Sequence, residues 1–188
     1  EATAATSARF LKRLGIGLVV LVLLFVGAYA LGWYNAYRLS HQFLADADEA
    51  YQEGNYLDAL TGREIYNEEE EQYEQIGGYI DVERIWSHRY SWPVPDVIDS
   101  AEQRSRQIIE EELTIAQAEQ YIQANIGENA PYFAEIYFGL GELYLEEGDE
   151  MGAREVYESI PQLFPGREDL IRQAEEQLAE LEESESSE

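Results

Sequence analysis

The sequence has no cysteine, which excludes disulfides, thiolate metal sites, iron–sulfur clusters and a thiol nucleophile, and leaves the redox compartment open. Positive charge is scarce: 12 Lys and Arg stand against 39 Asp and Glu, for a net charge of -27. Residues 1–33 hold Arg9, Lys12 and Arg13 against Glu1, so residues 34–188, with 9 basic and 38 acidic side chains, carry -29. Such a surface repels nucleic-acid phosphates and anionic head groups, so nucleic acid is not expected as a partner. Histidine is scarce as well. His41 and His88 stand in no metal-ligand or triad pattern, and no Walker or Rossmann glycine pattern is present. No catalytic residue, metal or cofactor is therefore expected, and carboxylates are too numerous for any pair to be singled out. Asp46-x-Asp48 fails as a calcium loop, because Tyr51 takes its glycine position and Leu57 its closing Glu position. The run Glu68–Glu71 reads as a solvated helix face with at most weak affinity for cations.

What the sequence does have is apolar material: 45% of its 188 residues are hydrophobic and 14 are Tyr, enough for a membrane span and one packed domain. Leu14 to Trp33 runs twenty residues without a charge. As a helix it is about 30 Å long, the thickness of a bilayer's hydrocarbon core. Trp33, Tyr34 and Tyr37 follow, as an interfacial aromatic belt would. Ala28-Tyr29-Ala30 has the form of a signal-peptide cleavage site, but the apolar stretch is longer than a usual signal core, so a retained transmembrane helix over 14–33 is expected. Arg9, Lys12 and Arg13 precede it and only Arg38 follows nearby. The positive-inside bias then puts a cytoplasmic segment, 1–13, on one side of a cell membrane and the acidic domain on the periplasmic or extracellular side. The chain opens on Glu1 rather than Met, and a true N-terminus upstream is expected. Gly17, Leu21, Leu24, Ala28 and Gly32 fall near one face of the span, with Ala28-x-x-x-Gly32 as a small-xxx-small pair, and form a candidate packing face for other membrane-protein subunits.

Beyond the span the pattern predicts an all-α domain over 34–183. No Gly or Pro occurs between Gly32 and Gly54, so the span is expected to continue as one helix to about Glu53. Gly54-Asn55 makes a turn, and a second helix is predicted from Tyr56 to about Gln75. Gly77-Gly78 and Trp92-Pro93-Val94-Pro95 break the chain; a helix follows from about Val97, with Asp96 as its cap. Thr114-Ile-Ala-Gln117 reads as a capping box opening a helix that stops near Gly127. Further helices are predicted at about 132–147, 151–163 and 167–183, with a disordered acidic tail over 184–188.

Tyr137-x-x-Leu140-Gly141-x-x-Tyr144, then Ala153-x-x-x-Tyr157, then Pro165, resembles the tetratricopeptide (TPR) repeat, with Tyr in place of Trp and Phe. The spacing has a physical reading. Gly141 and Ala153 are small where two antiparallel helices cross, Tyr144 fills the adjoining gap, Gly148-Asp149 turns the chain and Pro165 ends the second helix. Phe43, Ala47, Gly54 and Ala59 repeat the offsets of Tyr137, Gly141, Gly148 and Ala153 in a degenerate copy, and Ala118, Ile122 and Pro131 give only the second half of a middle unit. Residues 168–183 resemble the capping helix that such arrays need. The resemblance implies a TPR-like array of helical hairpins that binds proteins. The carboxylate clamp of one TPR variety, built on Lys, Arg and Asn, is not expected, since residues 34–188 contain no Lys.

Residues 76–96 interrupt the period with Trp86, Tyr90 and Trp92, either as a cover on the repeats or as a contact surface for a partner. In plan the chain resembles accessory subunits of bacterial membrane complexes, such as translocation, respiratory or photosynthetic machinery. The expected function is that of a non-catalytic, membrane-anchored scaffold subunit. The alternative is an acidic docking module for a cationic soluble protein, such as an electron carrier or a secreted polypeptide.

Overall fold

The computed structural model describes residues 2–68 and 71–186, with residues 2–13, 185 and 186 as backbone only. Among these, one helix is long enough to dominate: α1, Ala2–Gln52, is unbroken over 51 residues. The sequence makes it so, because nothing between Gly32 and Gly54 interrupts helical hydrogen bonding. Its N-terminal half projects from the rest of the chain, and the side chains from Leu14 to Leu31 are all exposed. Its C-terminal half enters the core through Ser40, Phe43, Ala47 and Ala50, at alternating spacings of three and four that keep one face toward the domain.

The helix expected over 56–75 is not formed. α2 covers only Tyr56–Thr61, and the chain then makes an antiparallel hairpin of β1, Arg63–Asn67, and β2, Gln72–Ile76, with Tyr66 opposite Tyr73. Gly62 is the cause. It sits at φ 71°, and a Cβ there would lie 2.6 Å from the Ile76 carbonyl oxygen, so the backbone turns out of the helix where only glycine fits. The aromatic and β-branched residues that follow favour an extended chain. Glu68 and Glu71 therefore stand at a hairpin turn, not on a helix face, and Glu69 and Glu70 lie outside the described residues.

α3, Tyr79–Trp86, falls inside the stretch read as an insertion and supplies core: Tyr79, Ile80, Val82 and Trp86 are buried. It runs antiparallel to α1, since Trp33 meets Trp86 while Asp48 meets Tyr79. Gly77 allows the close approach, because a Cβ there would stand 2.2 Å from the Phe43 ring. Residues 87–96 loop back to α4, Val97–Gln107, which packs on α3 and ends in a π-helical turn over Ile108–Glu112. Asp96 stands at the N-cap position as expected but makes no capping hydrogen bond through its side chain. α5, Ile115–Asn125, opens on the expected box, with Gln117 N donating to Thr114 Oγ1 at 3.3 Å and Thr114 N to Gln117 Oε1 at 3.1 Å.

α6, Phe133–Glu146, and α7, Glu150–Leu163, form a tight antiparallel hairpin in which Tyr137 meets Ser159 and Gly141 meets Tyr157. Gly148, at φ 80°, makes the turn, and Asp149 caps α7 by accepting from Gly152 N at 3.0 Å. α8, Glu168–Ser186, lays Leu170, Ala174 and Leu181 against this hairpin. It continues through Ser184–Ser186, where the acidic tail was expected to be disordered; Ser187 and Glu188 lie outside the described residues. Among the described residues the architecture is thus predominantly helical, with one short hairpin of strands.

Candidate functional site

A domain with 38 carboxylates and no lysine has to satisfy acidic side chains by other means. It uses tyrosine. Tyr79 Oη donates to Asp48 at 2.6 Å, Tyr132 Oη to Glu83 at 2.9 Å, Tyr144 Oη to Glu119 at 2.7 Å and Tyr51 Oη to Glu112 at 3.2 Å. Each pair ties together two elements distant in sequence. Burial, then the neighbouring carboxylate, holds the Tyr79 and Tyr132 phenols well above their ordinary range. The bond to Glu119 is the main cause that pushes Tyr144 up to about 12. Glu83 also accepts from Ser105 Oγ at 2.6 Å; burial raises its pKa, and these two hydrogen bonds oppose the rise. Asp46, one of the two aspartates of the rejected calcium loop, accepts from Gly77 N at 3.3 Å. These carboxylates are structural acceptors.

The residues that carry the repeat resemblance meet in one place. Ala153 and Tyr157 are fully buried, Leu140 and Gly141 are buried, Tyr137 and Tyr144 are half-buried, and Pro165 follows the end of α7 by two residues. The Tyr157 ring fills the space over Gly141, and its hydroxyl is buried with no hydrogen-bond partner. A groove of about 520 Å³ opens beside this hairpin, between the α4–π turn, α6 and α8, with Ile109, Phe138 and Leu170 at its floor and Arg106, Glu110 and Glu142 around it.

The three aromatic residues that suit either a cover or a partner contact part company. Trp86 is buried, stacked edge-on to Trp33 at 5.7 Å, and is part of the core. Tyr90 and Trp92 are 62% and 76% exposed. Their loop is fastened to α1 by its backbone. The Tyr29 hydroxyl reaches the carbonyls of Tyr90, at 2.9 Å, and of Trp92, and Trp33 Nε1 donates to the Pro93 carbonyl at 2.7 Å. A small apolar cleft of about 240 Å³ lies between helix and loop, lined by Tyr29, Gly32, Trp33, Trp86 and Tyr90.

The candidate packing face on the apolar half of α1 is open throughout: Gly17, Leu21, Leu24, Ala28 and Gly32 are exposed, and a Cβ on Gly17 or Gly32 would meet nothing within 4 Å. Gly32, however, borders the cleft shared with the chain's own loop. The face that α1 turns to its own domain is Tyr29, Trp33, Ala36, Ser40, Phe43, Ala47 and Ala50. It lies one residue, about 100°, round from the Ala28–Gly32 stripe. Sequence reasoning missed this second face, although its spacing of three and four was legible; the acceptors that complete it are loop carbonyls, which no side-chain pattern reveals. No group of acidic or histidine side chains suited to a metal occurs among the described residues. No protein-family model, curated protein or solved structure matches this chain.

Proposed function

We propose that this chain is a membrane-anchored, non-catalytic accessory subunit that holds a TPR-like helical domain at a fixed orientation over a bilayer, on the side opposite Arg9, Lys12 and Arg13. The observation that carries this reading is the continuity of α1. The same helix is wholly exposed over an apolar stretch with mean hydropathy 2.7 and then, without a break, forms part of the domain's core. An exposed apolar helix of this length is stable only when something apolar covers it, and lipid does so along its whole circumference. Tyr29 also speaks for a retained anchor rather than a cleaved signal, since removal of the chain up to Ala30 would leave the Tyr90–Trp92 backbone without its donor. The close fit of Gly141 under Tyr157 supports the repeat reading.

Association with neighbouring membrane subunits would use the stripe Gly17, Leu21, Leu24 and Ala28, where small residues let helix backbones approach. The test is purification of the tagged full chain in mild detergent. Partners that remain at high salt and are lost from a Gly17→Leu/Ala28→Leu variant support intramembrane packing. Gly32 is left out of the variant because it borders the cleft shared with the chain's own loop. The groove beside Arg106 favours a second reading, in which its carboxylates and the net charge of -29 recruit a cationic soluble protein. In that case salt releases the partner and the variant retains it, because exposed charge pairs are screened.

A further inference from the structure

We propose that the loop from Ser87 to Pro95 is a second membrane-contact element, seated in the interfacial layer of the bilayer beside the span, with lipid head groups and upper acyl chains as its occupant. This rests on the anchor reading above. The depth of the loop is set by α1, because two side chains on that helix hold the loop backbone: Tyr29 through the carbonyls of Tyr90 and Trp92, and Trp33 through that of Pro93. Tyr29 stands four residues, about 6 Å along the helix, inside the end of the apolar run. A loop tied at that height lies at the boundary between hydrocarbon and head groups. Irregular backbone at such a depth needs its polar groups satisfied by protein, and here the Trp33 indole donates to the Pro93 carbonyl while the single hydroxyl proton of Tyr29 serves those of Tyr90 and Trp92 between them. Trp92 N in turn donates to the Tyr29 hydroxyl at 3.2 Å.

The outward face of the loop has the matching chemistry. Trp92, Tyr90 and Val94 are 76%, 62% and 53% exposed, and two of them are the amphipathic aromatics that the membrane interface favours. The charge pattern agrees independently. After the apolar run the two longest stretches free of Asp and Glu are 34–45 and 84–95, twelve residues each. They are the two that flank this junction, in a domain that elsewhere carries a carboxylate every few residues. The loop's own charge is Arg89, whose guanidinium lies 4.7 Å from the centre of the Tyr90 ring, a cation placed to meet lipid phosphate.

The chain has no cysteine, so single nitroxide labels can be placed without a background. Val94→Cys, Phe25→Cys and Met151→Cys variants of the full chain would be reconstituted in vesicles of phosphatidylcholine and phosphatidylglycerol. Power-saturation electron paramagnetic resonance then compares collision with oxygen and with a water-soluble nickel chelate. The expected result is a Phe25 label buried in lipid, a Met151 label in water, and a Val94 label in the interface, reached severalfold less by the chelate than the Met151 label. A Val94 label as accessible to the chelate as that at Met151, with Phe25 still in lipid, overturns the loop proposal and leaves the anchor intact. A Val94 label shielded from both reagents also overturns it, in favour of contact with a second copy of the chain. A Phe25 label in water removes the anchor reading itself.

Discussion

The ring of Tyr157 occupies the space over Gly141, so that a Cβ on the glycine would lie 2.6 Å from Tyr157 Cε1, while the hydroxyl of the same tyrosine is buried and unpartnered. The two residues make opposite predictions. Gly141→Ala drives a methyl into the ring and is expected to destabilise the domain by about 1–3 kcal/mol. Tyr157→Phe keeps the packing and removes an unsatisfied polar group, so it is expected to leave the melting temperature unchanged or raise it. Thermal unfolding of the full chain in detergent, followed by circular dichroism, checks both. An unaffected Gly141→Ala protein would mean that α6 and α7 do not cross at this point.

Gly62 decides where α2 gives way to strands. At φ 71°, with a Cβ position 2.6 Å from the Ile76 carbonyl and 2.8 Å from Asp81 Oδ2, it tolerates no side chain. Gly62→Ala is expected to cost stability on the order of 1–3 kcal/mol from the backbone conformation alone. The measurement is the shift in denaturant midpoint. A fall much smaller than that of an alanine at the exposed, left-handed Gly54, where nothing is within 4 Å, would contradict the close approach.

The tyrosine–carboxylate pairs predict alkaline lability. Tyr144 has its pKa raised from 10.0 to about 12 by its bond to Glu119 and then by burial. A folded-state pKa above that of the unfolded chain means that the stability this pair contributes is fully present below pH 10. It is lost as pH rises from 10 toward 12, where the unfolded chain releases the proton first. Stability of the full chain is therefore expected to fall across that window, and a Tyr144→Phe variant to show a shallower fall. Parallel slopes for the two proteins would remove Tyr144 from the account.

How much of this was legible beforehand depended on the kind of signal. α1, the α5 capping box and the α6–α7 hairpin were readable because each is specified by local punctuation or by side chains at helical spacing. The helix expected at 56–75 is not formed because the role of Gly62 is set by the Ile76 carbonyl fourteen residues away, which no local pattern reports. For Trp86 the sequence leaves cover and contact surface both open, because an aromatic, proline-rich stretch suits either. The α3 helix that buries it depends on Gly77 admitting Phe43, a contact between elements 34 residues apart. The Tyr29–Trp92 junction joins a side chain to backbone 63 residues on, and composition carries no trace of such a bond.

Topology is open to direct measurement. Met151 is 73% exposed at the start of α7. With no other thiol in the chain, a Met151→Cys protein is expected to react with a membrane-impermeant maleimide on intact spheroplasts, given the basic residues that precede the span. Labelling only after lysis would place the acidic domain in the cytoplasm.

The unbroken course of α1 also fixes an azimuth. Because one helix runs through both the apolar stretch and the core, the direction in which the Gly17–Ala28 stripe looks is locked to the direction in which the groove beside Arg106 looks. Each residue inserted between Ala28 and Tyr29 would turn one relative to the other by about 100° and raise it by about 1.5 Å. On the proposed reading, the chain would work like a key cut on two sides: a neighbour held against the stripe within a bilayer would find the groove at a single compass bearing. Spacer length in this region is therefore a matter of helical phase, and a deletion or insertion harmless to folding would still change which way the domain looks relative to the stripe.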